Sequence, residues 1–382
     1  MTKRIVQISL PSTGDDEWQA TRECFQSGWL TQGPKVASLE KSFSARHQVK
    51  HSLAVTSCTT GLHLILAGMD IGPGDEVIVP AFTWVATANV VAYCGAKPVF
   101  VDVSKDDFNI DPSKIRQKVT PRTKAIIVVH LFGYPANIDA VREAAPGIPI
   151  IEDAACAAGT EYKGKPVGGL GIAGAFSFHP RKSVTTGEGG MVTTNDSALA
   201  QKMNQLRNHG ASLSEEERHN GPKPYLLPEF NLLGYNYRMT DIQGAVGLVQ
   251  FQKLDGFIKE REDWAKFYIK ELADIRWLST PKLPNSSEAK HGWQSFVCLV
   301  DPDKSPRPRN EIMAELYERG ISTRPGTHAV TTLGYYINKQ GINPKDFPVA
   351  SFVQDQTIAI PLHNRMTSDD YHYVANVLKS IK

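Results

Sequence analysis

The sequence predicts an α/β protein, with a large domain built on a mostly parallel sheet flanked by helices and a smaller C-terminal α/β domain. Three observations carry this reading. Between residues 52 and 152 short β-branched runs alternate with helical stretches, the rhythm of repeated βαβ units in which parallel strands need a crossover helix. The 382 residues exceed one ordinary domain of roughly 150, which points to a large unit with a companion. Apolar residues make up 41% of the chain against 21% charged, enough to bury a core and too ordered a balance for a disordered segment.

Taken in order, strands are expected at residues 53–56, 76–79, 98–101, 125–129 and 149–152. Helices between them start near Thr59, Thr83, Ser113 and Ile138. The turns PGD at 73–75 and CGAKP at 94–98 hold the Gly and Pro that stop a helix and redirect the chain. After Asp153 a Gly-rich stretch leads to a strand ending near Phe178, and a second strand, 191–194, follows GEGG, so that two strands bracket Lys182. Residues 211–235 read as a long functional loop, and a long amphipathic helix runs from about Thr240 past Leu254. The large domain is assigned to 1–250 and the small one to 251–382, the latter with a strand at 293–300 and helices at 309–319 and 369–378.

The composition excludes several classes. Forty-two basic residues against 40 acidic ones leave a net charge of +2 with no block of one sign, so nucleic acid is not an expected partner. No apolar run approaches the ~18 residues that span a bilayer, so no membrane segment is expected. The N-terminus MTKRIVQISLPSTGDDEW lacks the apolar core of a secretory signal, and the cytoplasm is the expected location. Five scattered cysteines without a CxxC pair argue for reduced thiols and no metal site.

Lys182 stands in FSFHPRKSVTTGEGGMV, ahead of a turn whose glycines allow close backbone approach. A lysine so placed can form a Schiff base with a carbonyl cofactor, and burial or the neighbouring Arg181 would lower its basicity for that task. Asp153 follows an apolar strand and so emerges at the carboxyl edge of the sheet, the usual ligand edge. A carboxylate there suits the ring nitrogen of pyridoxal phosphate, since a protonated ring is the better electron sink; a turn or helix cap is the alternative reading. In AVTSCTTGLHLIL the chain passes from strand to helix through Ser57, Cys58, Thr59 and Thr60, which places free amides and hydroxyls where a phosphate binds, or forms a plain N-cap. Neither a dinucleotide glycine fingerprint nor a GK[ST] motif is present.

These segments, with SGWLTQGPKV, GPGDEVIVPAFTWVATANVV, CGAKPVFVDV, VVHLFGYPANID, IEDAACAAGTEYKGKPVGGLG and GYNYRMTDIQGAVGLVQFQKLD, resemble in order and spacing the DegT/DnrJ/EryC1/StrS sugar aminotransferases of fold type I. The resemblance implies that pyridoxal 5'-phosphate is the cofactor, with Lys182 as its Schiff-base lysine and Asp153 as partner of its ring nitrogen. It further implies that Trp84 stacks on the ring and that Thr59, Thr60 and Ser177 bind the phosphate. Asn236, in NYRM, would reach the phosphate bound by the other subunit of a homodimer with shared active sites. Cys156 departs from the pattern, standing where many relatives carry His, Gln or Glu; a small buried apolar side chain is the reading favoured there. Dehydratase relatives have His in place of the lysine, so the retained Lys182 favours transamination. The implied reaction moves an amino group from an amino-acid donor, L-glutamate, to a nucleotide-linked keto-deoxysugar. By likeness to perosamine-type synthases in AYCGAKP and NYRMT, the expected position is C4 of a 4-keto-6-deoxy sugar. Arg238, His291, Arg324 and His328 are candidate substrate residues. A keto cyclitol acceptor is the near alternative, and a catalytically silent homologue acting as a sensor is the distant one.

Overall fold

Seven strands form the central sheet of the computed structural model, which describes residues 4–213, 225–285 and 287–382. Their spatial order is His51–Val55, Gly190–Thr194, Ala173–Ser177, Ile150–Asp153, Thr123–Val129, Glu76–Pro80 and Lys97–Val101. Only Gly190–Thr194 runs against the others; both of its neighbours pair with it antiparallel, and every remaining pair is parallel. Helices cover both faces, which explains why residues 125–129 of the strand Thr123–Val129 are a continuous apolar run with Ile126, Ile127 and Val128 fully buried.

Most expected elements form within a few residues of their expected bounds. The helix expected near Ser113 is replaced by two short 3-10 turns, Pro112–Lys114 and Arg116–Lys118. Asp111 caps the first of them, but only Ile115 is fully buried there, and one anchored residue supplies no helical face. The helix expected near Thr83 begins at Ala86, because Phe82–Thr83 is used as a strand against His328–Ala329.

The helix Asp241–Glu271 is 31 residues long, about 46 Å at 1.5 Å per residue, and runs across position 250. Its first half packs on Pro34–His47, where a Cβ on Gly244 would lie 2.8 Å from the Val36 amide. Its second half delivers Ala265 and Tyr268 to a C-terminal core with Trp293, Phe296, Ile312 and Tyr371. That core contains a three-stranded antiparallel sheet, Leu278–Ser279, Phe296–Val300 and Thr357–Ile360, and the helices Arg309–Glu318 and Ser368–Ser380. Val6 also belongs to it, bonded through its backbone to Gly320 and Ser322, whereas Ile8 packs against the core of the large domain.

Beneath the carboxyl edge lies a fully buried carboxylate, Glu152. It accepts from the amides of Gly168, Leu170 and Gly171, each at 2.7 Å, and from His130 Nε2 at 3.0 Å. The Ala136 amide donates to His130 Nδ1, which leaves Nε2 as the protonated nitrogen. Burial raises the Glu152 pKa, but the His130 contact and the glycine amides more than offset it, and the net direction is down. Glu152→Gln cannot accept from all four donors, and urea denaturation at neutral pH should show a loss of about 3 kcal/mol. Because the folded pKa is depressed, the contribution is full above the ordinary carboxylate value and fades as pH falls through the folded one. The wild-type and variant stabilities should therefore converge in acid, and a gap unchanged by pH would contradict the assignment.

Candidate active site

Strand register builds the site. Val55, Gly190 and Ser177 lie in one row across three strands, and Asp153 ends the next strand, so four chain segments leave the sheet at one edge. Ser57 caps the helix Cys58–Gly68 by accepting from the Thr60 amide at 3.1 Å, and Thr60 Oγ1 returns a bond from the Ser57 amide. That reciprocal cap satisfies Thr60 and leaves Thr59 facing the cavity. The helix start can settle this low because residue 190 is glycine: a Cβ there would lie 2.6 Å from the Ser57 carbonyl carbon and 2.7 Å from the Cys58 amide.

A cavity of about 800 Å3 opens above this edge. Thr59, Trp84, Asp153, Ser177, Lys182, Arg324 and His328, all expected from sequence, line it. The Asp153 carboxylate is buried; Thr87 Oγ1 donates to it at 2.7 Å and the Ala155 amide at 3.2 Å. Burial pushes its carboxyl above the usual range, against the opposing Thr87 and Ala155 bonds and the charge of Lys182. The half-exposed Trp84 indole is met edge-on by the His328 ring, 5.6 Å between centroids.

Lys182 Nζ lies 3.1 Å from Cys156 Sγ. Burial lowers the basicity of this amine, but Cys156, then Cys58 and Asp153, outweigh it, and the net direction is up. This corrects the expectation that burial and Arg181 would lower it; the Arg181 side chain is exposed, and the sulfur is closer. It also corrects the reading of Cys156 as an apolar filler, since its sulfur faces the cavity and contacts the lysine.

Four expected residues do not line the cavity: Thr60, held in its cap, and His291, Arg238 and Asn236. His291 is buried against Trp293, ring centroids 3.9 Å apart, accepts from the Trp293 amide, and is pushed by burial down to about 3, so it is a neutral core side chain. Arg238 Nη1 donates to Asn208 at 2.6 Å, outside the cavity. Asn236 is exposed and does not reach the cavity of its own chain. The expected loop at 211–235 falls partly outside the described residues, at 214–224; its described part exposes Tyr225, Leu227, Phe230 and Leu233. Sequence reasoning missed Thr87, whose only signal was its four-residue spacing from Thr83, and Arg309, which lines the cavity from the C-terminal unit with no motif around it.

The donor set fits pyridoxal phosphate. The helix start offers unpaired first-turn amides and the Thr59 hydroxyl for a phosphate. Asp153 is a buried acid with no ion-pair partner within 4 Å among the described residues, which suits a protonated ring nitrogen. Among the described residues no group of three or more His, Cys, Asp or Glu is arranged to hold a metal, and no helix is long and apolar enough to cross a membrane.

Comparison with known proteins agrees. The model of the DegT/DnrJ/EryC1/StrS aminotransferase family matches residues 11–379. The spore coat polysaccharide biosynthesis protein SpsC of Bacillus subtilis is 40% identical over 376 residues, 98% of this chain and 96% of its own. The putative sugar aminotransferase Spr1654 of Streptococcus pneumoniae, solved in its pyridoxal phosphate form, superposes with a TM-score of 0.92 at 28% identity over 99% of this chain and 98% of that one. The GDP-4-keto-6-deoxymannose-3-dehydratase ColD, solved with GDP-perosamine bound, gives a TM-score of 0.87 at 25% identity over 98% of this chain and all of that one, 100%. Fold and site together define a fold type I enzyme that uses pyridoxal 5'-phosphate. The chain belongs to the DegT/DnrJ/EryC1/StrS aminotransferase family and is a pyridoxal-phosphate-dependent sugar aminotransferase.

Proposed function

We propose that this enzyme transfers the amino group of L-glutamate to C4 of a nucleotide-linked 4-keto-6-deoxy sugar, with Lys182 as its catalytic amine. The observation that carries the reading is the convergence of Lys182, Asp153, Trp84 and the open start of helix Cys58–Gly68 on one cavity. When bound, pyridoxal phosphate supplies an electron sink for the pair left behind when an α-proton departs. Thr59, Ser177 and the helix amides hold the phosphate end, with Thr60 fixing their geometry through its cap. Asp153, oriented by Thr87, holds a proton on the ring nitrogen. Trp84 covers one face of the ring and keeps water off it. Lys182 Nζ takes a proton from the donor α-carbon, and in the reverse half returns one to the sugar carbon.

The cavity carries cations for anionic substrate groups. Arg309 is buried, fixed by a 2.5 Å bond from Nη1 to the Thr357 carbonyl, and Arg324 is exposed at the same wall. Guanidinium groups suit both a donor carboxylate and a diphosphate. The relatives named above, one acting in coat polysaccharide biosynthesis and one bound to GDP-perosamine, support a nucleotide-sugar substrate and a place in aminosugar or polysaccharide biosynthesis. The purified enzyme with L-glutamate and a nucleotide-linked 4-keto-6-deoxy sugar should yield 2-oxoglutarate and the 4-amino sugar, read by mass and proton spectra. Product from keto cyclitols alone would reject this substrate.

The proposed assembly is a homodimer with shared sites. Asn236 is exposed beside the apolar run ending at Leu233, where a second chain can cover it and receive its side chain. Lys182→Ala and Asn236→Asp are each expected to be inactive, the latter through a carboxylate set against a phosphate. In a mixed dimer one site collects both defects and the other neither, so that species should recover about half of wild-type activity. No recovery, with subunit exchange shown separately, would reject the cross-chain role.

A further inference from the structure

Lys182 shares its cavity with three carboxylates, Asp153, Glu188 and Asp355, yet its amine bonds to none of them. The partner it takes is a sulfur, Cys156 Sγ at 3.1 Å. We propose that Cys156 is a positioning residue for Lys182, its sulfur holding the lysine amine against the cavity wall whenever that amine is not joined to the cofactor. This rests on the reading of Lys182 as the catalytic amine.

The wall on which Cys156 stands is rigid. Ala154 and Ala157 on either side are fully buried, the Ala157 amide bonds to the Ala154 carbonyl, and the Asp153 carboxylate accepts from Ala155. The base of Lys182 is equally fixed, by its amide bond to the His179 carbonyl at 2.8 Å and by the buried Ser183 and Val184 that follow. Between these anchors lies a side chain with four rotatable bonds, which loses up to ~2 kcal/mol of rotamer freedom when held. A single N–H···S contact offsets part of that cost. It is also weaker than a carboxylate contact, so the amine can leave it to react. The other thiol at the site has different partners: Cys58 Sγ donates to the Ala175 carbonyl at 3.4 Å and faces Asp153 Oδ1 at 3.9 Å. The titratable and charged groups that line the same cavity are Asp153 from the strand end, Cys58 from the helix start, His179, Arg181 and Glu188 from the lysine's own loop, and Arg309, Arg324, His328 and Asp355 from the C-terminal unit.

The test is the covalent capture of pyridoxal phosphate by the full-length enzyme, followed by absorbance after rapid binding. Cys156→Ala should slow the capture step by about tenfold with little change in the initial binding constant, and Cys156→Ser should recover it. Equal capture rates in all three would overturn the proposal. Borohydride labelling separates the two claims: a label on another lysine rejects the catalytic reading, whereas a label on Lys182 with equal capture rates rejects only the role of Cys156.

Discussion

Lys182→Ala should abolish turnover, by a factor on the order of 10³ or more, while the protein still binds pyridoxal phosphate. The size of the loss follows from the role: the same amine must carry the cofactor and move the α-proton, and among the described residues no second lysine lines the cavity. The Arg181 side chain is exposed, and His179, whose basicity is lowered first by burial, uses Nδ1 to accept from the Arg181 amide. Binding survives because the phosphate and ring contacts come from other elements, the helix start, Ser177, Trp84 and Asp153. Equilibrium titration of the cofactor beside single-turnover kinetics separates the two effects, and near-normal turnover would remove Lys182 from the mechanism.

Asp153→Asn should separate stability from function. Burial raises the pKa of this carboxyl in the cofactor-free chain. A raised acid pKa means that the group favours folding while protonated, and that its contribution is lost as pH rises through the folded value. At neutral pH the acid therefore costs stability, and an amide of the same shape relieves it. Thr87 can rotate to accept from the new amide N–H, since its hydroxyl also faces Thr83 at 3.0 Å. The cofactor-free variant should accordingly melt above wild type at pH 7, with the gap closing as pH falls below the ordinary carboxylate range. Turnover should fall by about 10² or more, because an amide does not hold a proton on the ring nitrogen. A variant that melts lower and turns over normally would contradict both halves.

What could be read from sequence was local. Val and Ile runs fix strands by burial on both faces, Ser57 with Thr60 marks a helix start within four residues, and an acid directly after such a strand must emerge at its carboxyl edge. The register that joins Val55, Gly190 and Ser177 then assembles the site without further instruction. What could not be read depends on contacts distant in sequence. Val6 finds Gly320 and Ser322, Arg309 finds the Thr357 carbonyl, and Thr87 finds Asp153, none of which leaves a periodic trace. His291 looks like any polar candidate until Trp293 is seen stacked on it. Cys156 was misread for a related reason: composition marks cysteine as a small buried side chain, and only the folded chain shows which atom its sulfur meets.

The central claim is that one lysine at the carboxyl edge of this sheet bears the cofactor and performs the proton transfer. Borohydride reduction of the reconstituted enzyme, followed by peptide mapping, tests it most directly. The account predicts a single modified peptide carrying the reduced cofactor on Lys182, its yield matching the loss of activity; the label on any other lysine, or full inactivation without label at 182, would contradict it.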